Sequence, residues 1–232
     1  MKIQDNSVRV LGVGWADERH CGCVRQAIRK SRAGLDGAPT PARDPWLFAY
    51  PVKNFARFDA VSKITCIACA LALKDAEIPY AEGVKTDTGL IGTSADGSLE
   101  ANRAYFQDYV QAGRKLGRAN FFIYTLPSSP LAEAAIHFGL QGPVLYAGLP
   151  GEGLSALLHL GAELIRGGQA ADGLLAVKAD PRAAICFALG SAISSGPSTW
   201  PLEHMTRLVD AGGAVSELAG RIEADRTRGA GA

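Results

Sequence analysis

The chain has 232 residues, a formal net charge of +1, 47% hydrophobic side chains and 20% charged ones. That is an ordinary globular balance, and it gives no electrostatic case for nucleic acid or an anionic membrane as a partner. The opening MKIQDNSVRV has no apolar signal core and no run reaches a membrane span, so a cytoplasmic protein is expected; five cysteines, an odd number, read as reduced thiols.

In chain order, Val8–Val13 reads as a first strand. Gly12 and Gly14 lie in GVGWAD, which lacks the third glycine of a dinucleotide fingerprint and reads as a tight turn. Cys23–Arg32 reads as a short helix. Residues 34–57, rich in Pro and Gly, form an irregular excursion that Trp46, Phe48, Tyr50 and Phe55 pin to the body. Asp59 or Ser62 caps a helix whose period runs through Val61, Ile64, Ala68, Leu71 and Asp75 towards Pro79. Thr88–Thr93 is a strand that enters a Ser94-Ala95-Asp96-Gly97 turn, and Ser98–Gln111 is a helix carrying Tyr105, Phe106 and Tyr109. Arg114, Lys115 and Arg118 read as a solvated basic loop. Phe121–Pro127 reads as an extended aromatic run, and Leu131–Phe138 as an apolar helix stopped by Gly139.

The centre of the pattern is 142–168. Val144–Leu149 is an apolar run between Pro143 and Pro150-Gly151 and reads as a buried strand. From Leu154 the period becomes helical through Leu157, Leu158, Gly161, Leu164 and Ile165, ending at Gly167-Gly168. A strand that turns sharply into a helix presents unpaired N–H groups and a positive dipole end, a favoured place for a nucleophile. Here the turn is Leu149, Pro150, Gly151, Glu152 and Gly153, with no Ser or Cys. Gly173–Val177 and Ala183–Leu189 read as two further buried strands, Ser191–Pro201 as a loop, and Leu202–Arg226 as one or two terminal helices before a frayed tail. Strands alternating with helices predict an α/β fold with a mostly parallel mixed sheet covered on both faces.

Chemistry-bearing side chains are few. Cys66-Ile-Ala-Cys69 has metal-type spacing, and Cys21-Gly-Cys23 follows His20. Cys66 and Cys69 fall in mid-helix among Ile64, Ile67, Ala68 and Ala70, where cysteine acts as a small hydrophobe, so no metal and no cofactor is expected. His137 and His159 sit on apolar helices and read as structural.

Four blocks carry a resemblance: residues 57–78, 88–106, 121–143 with Tyr124-Thr125-Leu126-Pro127-Ser128-Ser129-Pro130 and Phe138-Gly139-Leu140-Gln141-Gly142-Pro143, and the elbow with its leucine-rich helix. Together they resemble the N-terminal half of β-ketoacyl synthases, condensing enzymes of the thiolase fold that extend acyl chains on acyl carrier protein. They are most similar to the short chain-length-factor-like members that accompany true synthases in polyketide and aryl-polyene pathways. The resemblance spans roughly Val8 to Leu189. It implies that 1–232 is one synthase N-terminal-like domain, a thiolase-like half-fold, with an excursion at 34–57 and a helical tail at 202–232.

The departures shape the functional expectation. The family's nucleophilic cysteine falls at Gly151 when aligned on Gly142-Pro143, or at Pro150 when aligned on the leucines, and neither forms a thioester. The family's two catalytic histidines lie in its second half, beyond the end of this chain, and His20, His137, His159 and His204 match no family histidine motif. The resemblance therefore implies a non-catalytic subunit without condensing activity of its own. It would pair with a catalytic β-ketoacyl synthase, meet acyl carrier protein only indirectly, and form a homodimer in isolation. The alternative is an acyltransferase-type enzyme or a decarboxylase of carrier-bound malonyl groups, with Glu152 as general base; the plainer reading of Glu152 is a carboxylate stabilised by the helix dipole. Tyr105, Phe106 and Tyr109 would reach an acyl tunnel, or else form a core-facing stripe. Val144, Leu145 and Tyr146 would meet the partner chain, by strand addition or face packing.

Overall fold

The structure is a computed structural model that describes residues 7–32, 43–115, 117–149, 153–191 and 199–229. Among the described residues eight strands form one sheet: β1 (Val8–Ala16), β2 (His20–Cys23), β3 (Ile28–Ser31), β4 (Gly89–Thr93), β5 (Val144–Tyr146), β6 (Leu174–Asp180), β7 (Ala183–Ser191) and β8 (Trp200–Pro201). The order is β3-β2-β1-β7-β6-β4-β5, with β8 paired to one end of β1. The helices are α1 (Ala60–Asp75), α2 (Leu99–Gln111), α3 (Ala119–Phe122), α4 (Ser129–Phe138), α5 (Leu154–Arg166), α6 (Leu202–Asp210) and α7 (Val215–Gly229).

Helices α1 and α4 cover one face, where Leu71, Phe138, Leu175 and Val177 share a core. Helices α5, α6 and α7 cover the other, where Leu157, Leu158, Phe187 and Met205 share a second. The α/β class, the mixed sheet and its double cover agree with expectation. The predominance of parallel pairing does not: β4 pairs in parallel with β5 and β6, whereas β1–β2, β1–β7, β1–β8, β2–β3 and β6–β7 are antiparallel. Connection length decides this. Only Pro181 and Arg182 separate β6 from β7, and a link that short joins antiparallel strands.

Local expectations fail where distant residues intervene. Cys23–Arg32 is not a helix but the turn and second arm of the β2–β3 hairpin, with Cys21 opposite Lys30 and Cys23 opposite Ile28. The buried Asp75 carboxylate at the end of α1 accepts the backbone N–H groups of Val13 at 2.7 Å, Arg25 at 2.9 Å and Gln26 at 2.9 Å. It supplies acceptors that a local helix would have had to provide. Gly12 and Gly14 do not form a turn; they lie within β1. A Cβ on Gly14 would stand 2.2 Å from the Ala72 nitrogen and one on Gly12 2.3 Å from the Ala76 nitrogen, so α1 rests directly on the strand backbone.

The expected extended run 121–127 is instead α3 followed by a 3-10 turn, Ile123–Thr125. Ser129 Oγ donates to the Ile123 carbonyl, and Ser98 Oγ donates to the Thr125 carbonyl. The basic loop is also not fully solvated: Arg118 forks onto Asp108 of α2, with Nε 2.7 Å from Oδ1, and holds that carboxyl below its ordinary pKa.

Candidate functional site

Strands β6, β4 and β5 run in parallel, so their C-terminal ends open to the same side. From β4 the chain returns to β5 through α2, α3 and α4, and from β5 to β6 through α5 on the opposite face. Connections that diverge to the two faces leave a crevice beyond the strand ends, the usual ligand position in open α/β sheets. A cavity of about 230 Å³ lies there. Its floor is Thr93 at the end of β4, Ser94 after it, Val177 and Ala179 of β6, and Tyr146 of β5; its walls come from the first turns of α1 and α4, from α2, and from the segment around Tyr124.

The lining is mostly apolar. Ser94 Oγ lies 3.1 Å from Tyr146 Oη and ties β4 to β5 at the mouth. The Ala95 N–H donates to Asp180 at 2.9 Å and holds the turn that follows β4. Thr65 also lines the cavity, and its buried Oγ1 has no hydrogen-bond partner among the described residues. Tyr124 donates to Glu133 at 3.3 Å; burial, with Glu133 beside it, raises its pKa. The expectations from sequence gave no site role to Thr65, Leu131 or Val177. A threonine inside an otherwise apolar helical run was the one available signal.

The expected site residues are distributed around this crevice. Val144, Leu145 and Tyr146 form β5, the edge strand, and Val144 and Leu145 are each 42% exposed. The strand is three residues long and, among the described residues, pairs only with β4, where 144–149 was expected to be a buried strand. Pro150, Gly151 and Glu152 lie outside the described residues. Gly153 caps α5 with a left-handed backbone (φ 66°), and Leu154, Leu157, Leu158 and Gly161 bury as expected. Gly161 permits close approach: a Cβ there would lie 2.8 Å from Leu189 and 2.9 Å from Leu174 side-chain atoms.

Tyr105, Phe106 and Tyr109 do not face the core. Tyr105 packs on Phe122 at a centroid distance of 5.6 Å, Phe106 is 63% exposed, and Tyr109 is half-buried. They lie outside the lining of the 230 Å³ cavity, whose α2 wall is built instead from Leu99, Glu100, Ala101 and Ala104.

The cysteines and histidines are dispersed. Burial pushes the Cys21 thiol up to about 11 and that of Cys23 up to about 12. Burial also raises Cys66, and Cys69 is raised by its hydrogen bond to Cys186 and by burial. Protonated thiols of this kind are poor nucleophiles and poor ligands. Among the described residues no three His, Cys, Asp or Glu side chains converge as a metal site. His20 Nδ1 lies 3.1 Å from Arg29, and His204 Nε2 lies 2.7 Å from Asp225. His137 is buried as expected, whereas His159 is exposed on α5. Among the described residues no helix is long and apolar enough to cross a membrane.

No protein-family model and no curated protein matches the sequence. Solved structures do match the fold. The ishigamide ketosynthase/chain length factor aligns with a TM-score of 0.57 at 17% identity, over 82% of this chain and 63% of that one. A β-ketoacyl synthase from Burkholderia phymatum aligns with a TM-score of 0.58 at 16% identity, over 81% and 59%. A type II polyketide synthase ketosynthase, in complex with its acyl-carrier protein and bound to the hexaketide, aligns with a TM-score of 0.57 at 13% identity, over 82% and 59%. The chain thus has the thiolase-like fold of the ketosynthases and spans about three-fifths of the length of these structures.

Proposed function

We propose that this chain is a non-catalytic ketosynthase-like subunit of the chain-length-factor type, which pairs with a catalytic β-ketoacyl synthase and shapes the space available to its acyl chain. The observation that carries this reading is β5, the last strand in the sheet order among the described residues, where Val144 and Leu145 present exposed apolar side chains. An edge of this kind invites another chain. Helix α4, which packs on β5, adds Ile136, 79% exposed, and α2 with the 119–126 segment adds Phe106, Val110, Phe122, Ile123 and Leu126. Exposed apolar surface on this scale is typical of a protein contact. Solved ketosynthases of the same fold, one of them a ketosynthase/chain length factor and another in complex with its acyl-carrier protein, support the choice of partner.

In this reading β5 forms the subunit contact, Tyr105, Phe106 and Tyr109 approach the partner's acyl chain, and the protein meets acyl carrier protein through that partner. The absence of a thiol at Pro150 and Gly151 supports a role without thioester chemistry. The interface falls in the obligate range, about 2,000 Å² or more in total, and in isolation the protein pairs with itself.

The test is co-expression with a candidate synthase, then size-exclusion chromatography with light scattering and assay of the complex with acyl- and malonyl-carrier protein. Co-elution as a stoichiometric pair, with 3-oxoacyl product only when the synthase is present, is the expected result. A monodisperse monomer at micromolar concentration that binds no synthase, or condensation by the purified chain alone, rejects the reading.

A further inference from the structure

The crevice at the ends of β4, β5 and β6 carries a pair of hydroxyls in an otherwise apolar lining. In the sheet Gly92 stands between Tyr146 of β5 and Val177 of β6. The bare backbone at Gly92 lets α4 settle onto the floor: a Cβ there would stand 2.5 Å from a Leu131 methyl. Tyr146 lines the cavity beside this point, and its hydroxyl meets Ser94 Oγ at 3.1 Å. Both residues line the cavity and both are half-buried, so the pair lies within reach of a molecule that enters. Two hydroxyls carry two protons, and their mutual bond uses one. Neither makes another hydrogen bond among the described residues, so the second proton is available to a ligand.

The charges around the crevice limit what enters. Asp59, Asp96 and Glu100 line it, and no lysine, arginine or histidine does. An anionic head group would meet like charge with no counter-ion. Asp59 is engaged as the cap of α1, accepting the Ser62 N–H at 2.8 Å, while Asp96 and Glu100 are exposed to solvent, so a cation gains little from them. The apolar walls suit an apolar body. At roughly 30 Å³ per atom-sized share, the 230 Å³ hold about eight non-hydrogen atoms. We propose that the crevice binds an uncharged carbonyl compound of this size, its oxygen accepting the available proton of the Ser94–Tyr146 pair and its chain lying along Leu99, Leu131 and Val177. A carbonyl oxygen takes that proton without bringing one of its own into apolar surroundings. The phenol, the more acidic hydroxyl, is the outward donor, and Ser94 donates to it. The site is built from this chain alone, so its test needs no synthase and its failure leaves the subunit reading standing.

The probe is 2-heptanone labelled with carbon-13 at the carbonyl, added to the full chain. Its carbonyl resonance should move downfield saturably as the oxygen gains a hydrogen bond. Heptane should bind the wild type, and 2-heptanone should bind Tyr146→Phe, each about tenfold more weakly than the ketone binds the wild type, the expected size for one buried hydrogen bond. Heptanoate and heptylammonium should compete more weakly than the ketone. Ala104→Trp, which fills the cavity from α2, should abolish the saturable shift, and it decides the matter if Tyr146→Phe does not fold. A heptanoyl thioester of N-acetylcysteamine separates two sources of the carbonyl: if it displaces the ketone the site takes acyl thioesters, and if it does not the site takes free ketones. Equal affinity for ketone and heptane, undiminished affinity in Tyr146→Phe, tighter binding of heptanoate or heptylammonium, or a saturable shift retained in Ala104→Trp overturns the proposal.

Discussion

The two ends of the sheet solve the same problem in opposite ways. At one end β3 presents Arg29, Lys30 and Ser31 to solvent, with the Arg29 guanidinium over Trp15 at 5.5 Å and the Lys30 ammonium over Trp46 at 4.0 Å. Long cations held across an edge strand discourage another strand from pairing there. At the other end β5 is three residues long and shows Val144 and Leu145. The first edge is finished by its own side chains. The second has no such finish among the described residues, and this difference, more than the missing thiol, underlies the proposal that the chain pairs with another protein.

Breaking the closed end has the largest expected effect. Asp75 receives three backbone N–H groups, two of them from the β2–β3 turn. Asp75→Ala leaves all three without this acceptor, the Val13 N–H fully buried, and should cost about 3 kcal/mol in urea unfolding. Amide exchange should accelerate first in β2 and β3 and leave β4 to β6 protected. Uniform acceleration would show that the hairpin is held by something other than this carboxylate.

Breaking the β5 end should leave the fold intact and weaken association. Leu145→Asp places a charge in the proposed contact and should weaken the self-dimer by about a hundredfold, close to 3 kcal/mol, in light-scattering dilution series. Lys30→Asp, the matched change at β3, should leave association unchanged. If both substitutions behave alike, the contrast between the edges is lost.

Acid sharpens the comparison because a buried group on each side responds with opposite sign. Burial lowers His137 from 6.5 to about 4, so the unfolded chain binds the extra proton first and stability falls as pH drops through that window. The loss should be roughly 2 kcal/mol and should vanish in His137→Phe. Burial raises Asp75 despite its three N–H donors, so its titration contributes stability that is fully present below 3.8 and is lost as pH rises through the raised value. Chemical unfolding of wild type and the two single variants between pH 3 and pH 7, in steps of about half a unit, separates the two slopes.

The smallest effects belong to the aromatic residues of α2. Tyr105→Ala removes the Tyr105–Phe122 contact and should cost about 1 kcal/mol. In a co-expressed synthase, Tyr105→Ala or Tyr109→Ala should lengthen the products without abolishing them, read by mass spectrometry. Unchanged product length would remove these residues from the acyl path while leaving the β5 contact untouched.

The sequence by itself determined the elements whose cause is local. Strong helical periods placed α1, α4 and α5, Gly139 stopped α4 in a left-handed conformation, and the apolar runs placed β4, β6 and β7. The missing thiol at 150–151 and the resemblance through 121–143 were equally plain, because they are statements about residue identity. Tertiary structure decided what depended on distant partners. Cys23–Arg32 became a hairpin because Asp75, about fifty positions away, accepts its turn, and Gly12 and Gly14 were needed by a helix backbone and not by a turn. Val144–Tyr146 has the composition of a buried strand, yet lies at the edge, because strand order is set by the crossovers and not by hydrophobicity. Thr65 and His137 looked like ordinary buried side chains until packing left each with a buried polar atom that has no hydrogen-bond partner among the described residues. Hydrogen-bond satisfaction is a property of three-dimensional neighbours, and no pattern along the chain contains it.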